Sequence, residues 1–275
     1  MALARVGVGL AQGRSGAFAL FALMLAILPA EAAEKNPRPG IGPEDHRVPV
    51  DSIAWPWAAI GRLNNTTGRI CTATLVTPDT IVTAAHCVIN IDTGLTVSPG
   101  ALHFLAGYRR GEFVAHAVGR EIRFGELPRA QRPAGPEAVA GDWAIVRIQP
   151  ALAIRPITVG VLPPSATVAT APTDAIRLQR AGYSQDRPHM LAVHDGCRVT
   201  GTLAAGRVFI TDCDATRGDS GSPLLLRQGD QATLVGVTSA IIESGEIRGT
   251  FFVPAAAFMA AIGAAAPIPS IAERH

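Results

Sequence analysis

Three short stretches of this chain carry side chains that could do chemistry together. The first is Thr211-Asp212-Cys213-Asp214-Ala215-Thr216-Arg217-Gly218-Asp219-Ser220-Gly221-Ser222-Pro223. Gly218 and Gly221 open backbone conformations closed to other residues, so Ser220 fits on a tight loop with free amides around it. The same amides could hold the oxyanion formed when a serine attacks a carbonyl. Alone, the stretch reads equally well as a Gly/Ser turn. The second is Thr83-Ala84-Ala85-His86-Cys87. A lone histidine is usually structural or exposed, but a loop tethered through Cys87 to Cys71 would fix an imidazole for general-base work. The third, Gly141-Asp142-Trp143-Ala144-Ile145-Val146, sets one carboxylate at the head of an apolar strand. Such a residue is commonly just part of a turn, yet it would also fix the tautomer and orientation of a histidine ring.

These residues need a scaffold, and the sequence describes one. Short apolar runs alternate with turn signals at 58–63, 70–76, 80–83, 102–105, 113–122 and 143–148. After Pro150 and Pro163-Pro164 the pattern resumes at 175–183, 190–199, 207–212, 223–226, 232–242 and 250–253. Many short strands at that spacing predict an all-β barrel or sandwich. The proline-containing stretch at 150–164 divides the chain into two similar halves, which predicts two barrels, about 48–150 and 151–265. Only 254–264 reads as a helix, with Phe258 and Ile262 on one face, and 266–275 is a tail.

The chain has 275 residues, 48% of them hydrophobic and 17% charged, which is ample for a core. A formal net charge of +2 gives no footing for nucleic acid. Arg5 and Arg14 precede an apolar run from Ala17 to Leu28, followed by Ala30-Glu31-Ala32. A basic start, a short apolar stretch and an Ala-x-Ala site predict a signal peptide over 1–32. The run is short for a membrane span, which needs roughly 20 residues. The expected mature protein is therefore secreted or periplasmic, with no membrane attachment. Residues 33–47 are rich in proline, glycine and charge and read as a pro-segment or linker. The four cysteines suit an oxidising compartment. Their spacing suggests local bridges Cys71–Cys87 and Cys197–Cys213, one of three possible pairings. No cysteine or histidine cluster has metal-ligand spacing, so no metal or cofactor is expected.

The order of the three chemical stretches separates the fold classes. The α/β-hydrolases run Ser, Asp, His and the subtilisins Asp, His, Ser, whereas the chymotrypsin type runs His, Asp, Ser. Here the order is His86, Asp142, Ser220, and Ser222 stands where a Gly-x-Ser-x-Gly elbow needs glycine. A Gly-Asp-Ser esterase fits less well, because that motif belongs near the N-terminus of a parallel α/β sheet. Thr83–Cys87 together with Gly218–Pro223 resembles the chymotrypsin/trypsin superfamily of serine peptidases, on its bacterial secreted side near the glutamyl-endopeptidase (V8-like) enzymes. Trp55-Pro56-Trp57, Ala59-Ile60-Gly61, Cys71-Thr72-Ala73-Thr74-Leu75-Val76 and Cys213-Asp214 extend the resemblance over residues 47–260.

The resemblance implies two antiparallel six-stranded β-barrels with a short C-terminal helix. It implies an endopeptidase acting on polypeptides, expected as a monomer, with His86, Asp142 and Ser220 as triad. The amides of Gly218 and Ser220 would form the oxyanion hole. Asp214, six residues before Ser220, stands where trypsin-like enzymes hold a substrate Arg or Lys. Ser239 and Ile241 would line the same pocket, with Ile241 narrowing it, and Thr238 stands where a glutamate-specific enzyme carries histidine. Basic, small apolar and acidic preferences all stay open. Cleavage after Arg47 would free an amine at Val48 to pair with Asp219, although Val48-Pro49 departs from the usual start of such enzymes. The remaining histidines (His46, His103, His116, His189, His194, His275) have no partner motif and read as surface or loop residues. A rival of another class is a catalytically silent homologue acting as a binding module.

Overall fold

The computed structural model describes residues 38–90, 93–125, 135–163, 177–244 and 247–263. The expected signal peptide, the start of the 33–47 segment and the 266–275 tail lie outside the described residues. The first half begins with a three-residue strand, β1 (Arg47–Pro49), and continues with β2 (Ile60–Asn65), β3 (Ile70–Thr77) and β4 (Thr80–Thr83). It is completed by β5 (Leu102–Ala106), β6 (Ala115–Phe124) and β7 (Ala144–Gln149). Strands β2, β3, β4, β7, β6 and β5 pair antiparallel in that order and close a barrel. β5 shows why: Leu102, Phe104 and Ala106 point inward and are buried, while His103 and Leu105 alternate outward.

The second half contains β8 (Thr158–Val159), β9 (Arg177–Gly182), β10 (Ala192–Cys197), β11 (Val199–Leu203), β12 (Val208–Thr211), β13 (Pro223–Gln228), β14 (Gln231–Ser244) and β15 (Ile247–Pro254). With β1 they form a nine-stranded sheet in the order β1-β10-β9-β13-β14-β15-β12-β11, with β8 beside β14. This sheet curls without pairing its two end strands, so the second barrel is open where the first is closed. β14 is long enough to serve both the core and the site, and its register against β15 shifts between Thr238 and Ala240.

One apolar cluster runs from Leu63, Ile81, Phe104 and Val146 in the first barrel to Leu225, Val237 and Phe258 in the second half. A second cluster, including Leu178, Leu224, Val235 and Phe252, fills the curl of the open sheet. Each such side chain contributes on the order of 2 kcal/mol by leaving water. The predicted C-terminal helix is a 3-10 turn, Ala255–Ala257, followed by one α-helical turn, Met259–Ile262. Phe258 between them is fully buried and docks this end of the chain. A short helix, α1 (Pro136–Ala140), was not evident in the sequence. Among the described residues no helix is long and apolar enough to cross a membrane.

β3 marks the junction of the halves, and six of its eight residues are buried. Its threonines are useful there because they pack like valine and still bond. The Thr72 hydroxyl accepts the Tyr183 amide N–H at 2.9 Å, and the Thr72 carbonyl accepts the Thr83 hydroxyl at 2.8 Å.

Candidate active site

His86 lies in a single 3-10 turn, Ala85–Cys87, at the end of β4. The turn is bonded to β3 through the Cys71–Cys87 disulfide, and Arg69 donates to the His86 carbonyl. Asp142 follows α1 and is fully buried, its own amide donating to Val139 at 3.0 Å. Its carboxylate takes the His86 residue at two points. Oδ1 accepts the His86 backbone N–H at 2.9 Å, and Oδ2 lies 2.7 Å from ring Nδ1. Ser239 donates its hydroxyl to the same Oδ2. Ser239 sits at the β14 register shift, and a bulge of this kind re-aims a side chain out of the ladder. Burial pushes the Asp142 carboxyl up, but His86, Ser239 and the His86 amide more than offset it and hold it below its ordinary value. The carboxylate therefore stays ionised while the imidazole, 15% exposed, remains open to solvent on its other side.

The Ser220 loop is clamped between the halves. The Ser220 carbonyl accepts the Thr72 amide at 2.9 Å, and the Gly221 amide donates to Thr238 at 2.8 Å. Gly221 has φ +78°, and a Cβ there would lie 2.1 Å from the Thr83 hydroxyl oxygen and 2.9 Å from the Ala84 nitrogen. The loop thus touches the end of β4 within three residues of His86. The amides of Asp219, Gly221 and Ser222 donate to Thr216, Thr238 and Asp219. Those of Gly218 and Ser220 have no acceptor among the described residues, which leaves two donors beside the serine.

Asp219 is fully buried and has a partner that the sequence reading did not anticipate. Arg180 of β9 donates to its Oδ1 at 2.6 Å, while the Ser184 hydroxyl and the Thr216 amide donate to Oδ2 at 2.7 and 2.8 Å. Burial pushes the Arg180 pKa down and Asp219 opposes it. Gly182 makes the pairing possible, since a Cβ there would lie 2.0 Å from the Ser222 hydroxyl and 2.5 Å from Asp219 Oδ1. In the uncleaved chain Val48, whose amine cleavage after Arg47 would free to pair with Asp219, lies on β1 opposite Val193 and is 63% exposed. Arg47 beside it is buried and bonded to Asp45, Asp186 and Ser184. Hence Asp219 is neutralised with the 38–47 segment still attached.

Asp214 also has resident partners. Its Oδ2 accepts the His46 amide at 2.8 Å and lies 3.0 Å from His46 Nδ1, while its own amide donates to His194 Nδ1 at 2.8 Å. Asp214 raises the His46 pKa, whereas burial lowers that of His194 despite the carboxylate nearby. The three side chains offer donors within 4.8 Å of one another, as a metal site would. The geometry fits a hydrogen-bonded cluster instead. The two rings stack 5.0 Å apart at 21°, so one ion cannot lie in both ring planes, and the His194 Nδ1 lone pair already accepts an amide.

The structure therefore brings His86, Asp142 and Ser239 into one bonded group, and the Ser220 loop reaches the end of β4 through Gly221. Ser239, expected in the substrate pocket, also donates its hydroxyl to Asp142. Thr238 donates its hydroxyl to Ser222 at 3.0 Å. The histidines read as partnerless are corrected in the same way. His46 and His194 meet Asp214, His103 meets His116 at 3.1 Å, and His189 meets the Tyr108 hydroxyl at 2.8 Å. His275 lies outside the described residues. Both expected disulfides are present.

Comparison with known proteins agrees with this architecture. A solved structure described as "Structure of Glu endopeptidase in complex with MPD" superimposes with a TM-score of 0.62 at 22% identity, covering 81% of this chain and 99% of that one. At that identity the likeness is one of fold. The family model Trypsin matches residues 46–262, most of the chain. The protein belongs to the trypsin family and is a serine-type endopeptidase.

Proposed function

We propose that this peptidase works through His86, Asp142 and Ser220 and acts outside the cytoplasm. His86 takes the Ser220 proton as the hydroxyl attacks a peptide carbonyl, then returns it to the leaving amine. Asp142 holds the ring by Nδ1 and stabilises its charged form. The observation that carries the reading is the doubly bonded Asp142–His86 pair, finished by Ser239. The unpaired amides of Gly218 and Ser220 would bind the oxyanion, each such donor contributing about 10²–10³ in rate. No step calls on a metal. Ser220→Ala tests the assignment: hydrolysis should fall by about 10⁴ or more, and hydrolysis at the parent rate would refute it.

The signal-peptide pattern over 1–32 and the two disulfides support export, with the peptidase working as a monomer in the periplasm or medium. For specificity, a small or apolar residue before the scissile bond fits best. Ile241, expected to narrow the pocket, disfavours the long side chains of Arg and Lys. Thr238 is a hydrogen-bonded threonine and supplies no positive charge for a substrate glutamate. A cleavage profile dominated by Arg and Lys would overturn this preference. A silent homologue would show the same pairing without turnover, so a fluorophosphonate probe that fails to label Ser220 would favour it.

A further inference from the structure

The candidate pocket has an occupant from the chain itself. Ala215 precedes Ser220 by five residues and Ile241 follows Ser239 by two, so both lie on segments that converge on the proposed nucleophile. Gly40 sits between them. A Cβ at Gly40 would lie 2.2 Å from the Ala215 carbonyl oxygen and 3.2 Å from two Ile241 side-chain carbons. With φ +90°, this position is one for glycine on conformational grounds as well. The Gly40 amide donates to Glu243 at 3.1 Å, and the neighbouring Ile41 is only 4% exposed. Farther along, the His46 amide and ring hold Asp214.

The segment is braced for this path. Ile41 donates its amide to the Arg38 carbonyl at 3.1 Å, and Arg38 pairs with Asp45 at 3.2 Å. Asp45 is also gripped by Arg47 and Arg187. Between this segment and the wall formed by Asp212, Asp214 and Arg248 lies a pocket of about 430 Å³. The family match begins at residue 46, and residues 38–45 lie ahead of it.

We propose that residues 38–45 form an intramolecular strap that occupies the substrate-specificity pocket and keeps the peptidase latent until the strap is displaced. The proposal rests on the peptidase reading above. It differs from activation by a new amine. Asp219 is already paired with Arg180, and the amides of Gly218 and Ser220 are already unpaired, with the strap in place. What the latent enzyme lacks is room for substrate beside Ile241. The apparent KM then rises in inverse proportion to the fraction of molecules whose strap is out.

Two full-chain variants test this, and neither changes the proposed triad or oxyanion residues. Gly40→Leu has no space between Ala215 and Ile241, and Ile41→Asp cannot stay buried. In each, kcat/KM for a short peptide ester should rise at least about tenfold, mainly through a lower KM. A synthetic peptide of residues 38–46 added in trans should reverse the gain competitively. Variants that a fluorophosphonate labels at Ser220, but that hydrolyse the ester with the parent kcat/KM, overturn the strap. Absence of labelling in parent and variants alike overturns the peptidase reading, and the strap with it.

Discussion

Asp142 and Asp219 are both fully buried aspartates within one site, and their partners give them different work. Asp142 faces an imidazole and a hydroxyl, partners that can exchange protons and rotate. In the proposed mechanism its charge is useful because it stabilises the protonated ring that His86 forms on taking the Ser220 proton. Asp219 faces Arg180, a guanidinium that stays charged under all ordinary conditions. Its charge is matched by the guanidinium, so it fixes the backbone of the Ser220 loop. The same residue type is a participant in one place and a brace in the other, and the partner's acidity decides which.

That contrast predicts unlike failures. Asp142→Asn keeps the shape but favours the wrong histidine tautomer, so kcat should drop by about 10⁴ with the thermal midpoint nearly unchanged. A large loss of stability in that variant would mean Asp142 is a brace too. Arg180→Met leaves Asp219 buried without its cation and should cost about 3–5 kcal/mol in denaturant unfolding. Were Arg180→Met as stable as the parent and merely slower, the brace reading would fail. Ser239→Ala removes one of three donors to Asp142, and a loss of roughly 1.5–3 kcal/mol is expected for one hydrogen bond to a charged group. Read in kinetics, that is about tenfold or more in kcat with KM little changed.

The smallest effect concerns the strap. Hydrogen bonds from Arg47 lead the causes that hold the Asp45 carboxyl down at about 2, below its ordinary value of 3.8. A depressed folded-state value means the contribution is whole above pH 3.8 and disappears as pH falls through 2. Hydrogen-exchange protection at residues 38–46, taken relative to the intrinsic rate at each pH, should therefore fall between about pH 4 and 2. Protection that is flat across that window would show that Asp45 does not tie the strap down.

His86, Asp142 and Ser220 stood out as candidates in the sequence because each sits in a local motif of four to six residues, and their order excluded rival folds. Strand positions were legible for a similar reason, since alternation and turn residues are local. What could not be read was pairing across distance. Arg180 looks like any other arginine of a strand, and nothing near it names Asp219, 39 residues away. His46 and Asp214 are 168 residues apart, so their contact, and with it the path of the strap, exists only in the fold. The shape of the second half escaped for a related reason. Strand number and closure depend on which edges meet, and β1 and β11 each look like ordinary short strands. One clue was present: Gly182 and Gly221 are glycines in tightly packed surroundings, where closeness to another backbone is a common cause.

The central claim is that Ser220 is an activated nucleophile whose base is oriented by Asp142. The most direct measurement is the rate and location of covalent labelling by a small fluorophosphonate, read by intact-mass and peptide mass spectrometry. A single adduct on Ser220 is predicted, formed at least about a hundredfold more slowly in Asp142→Asn and absent in Ser220→Ala. An adduct on another residue, or equal labelling rates in parent and Asp142→Asn, would contradict the account.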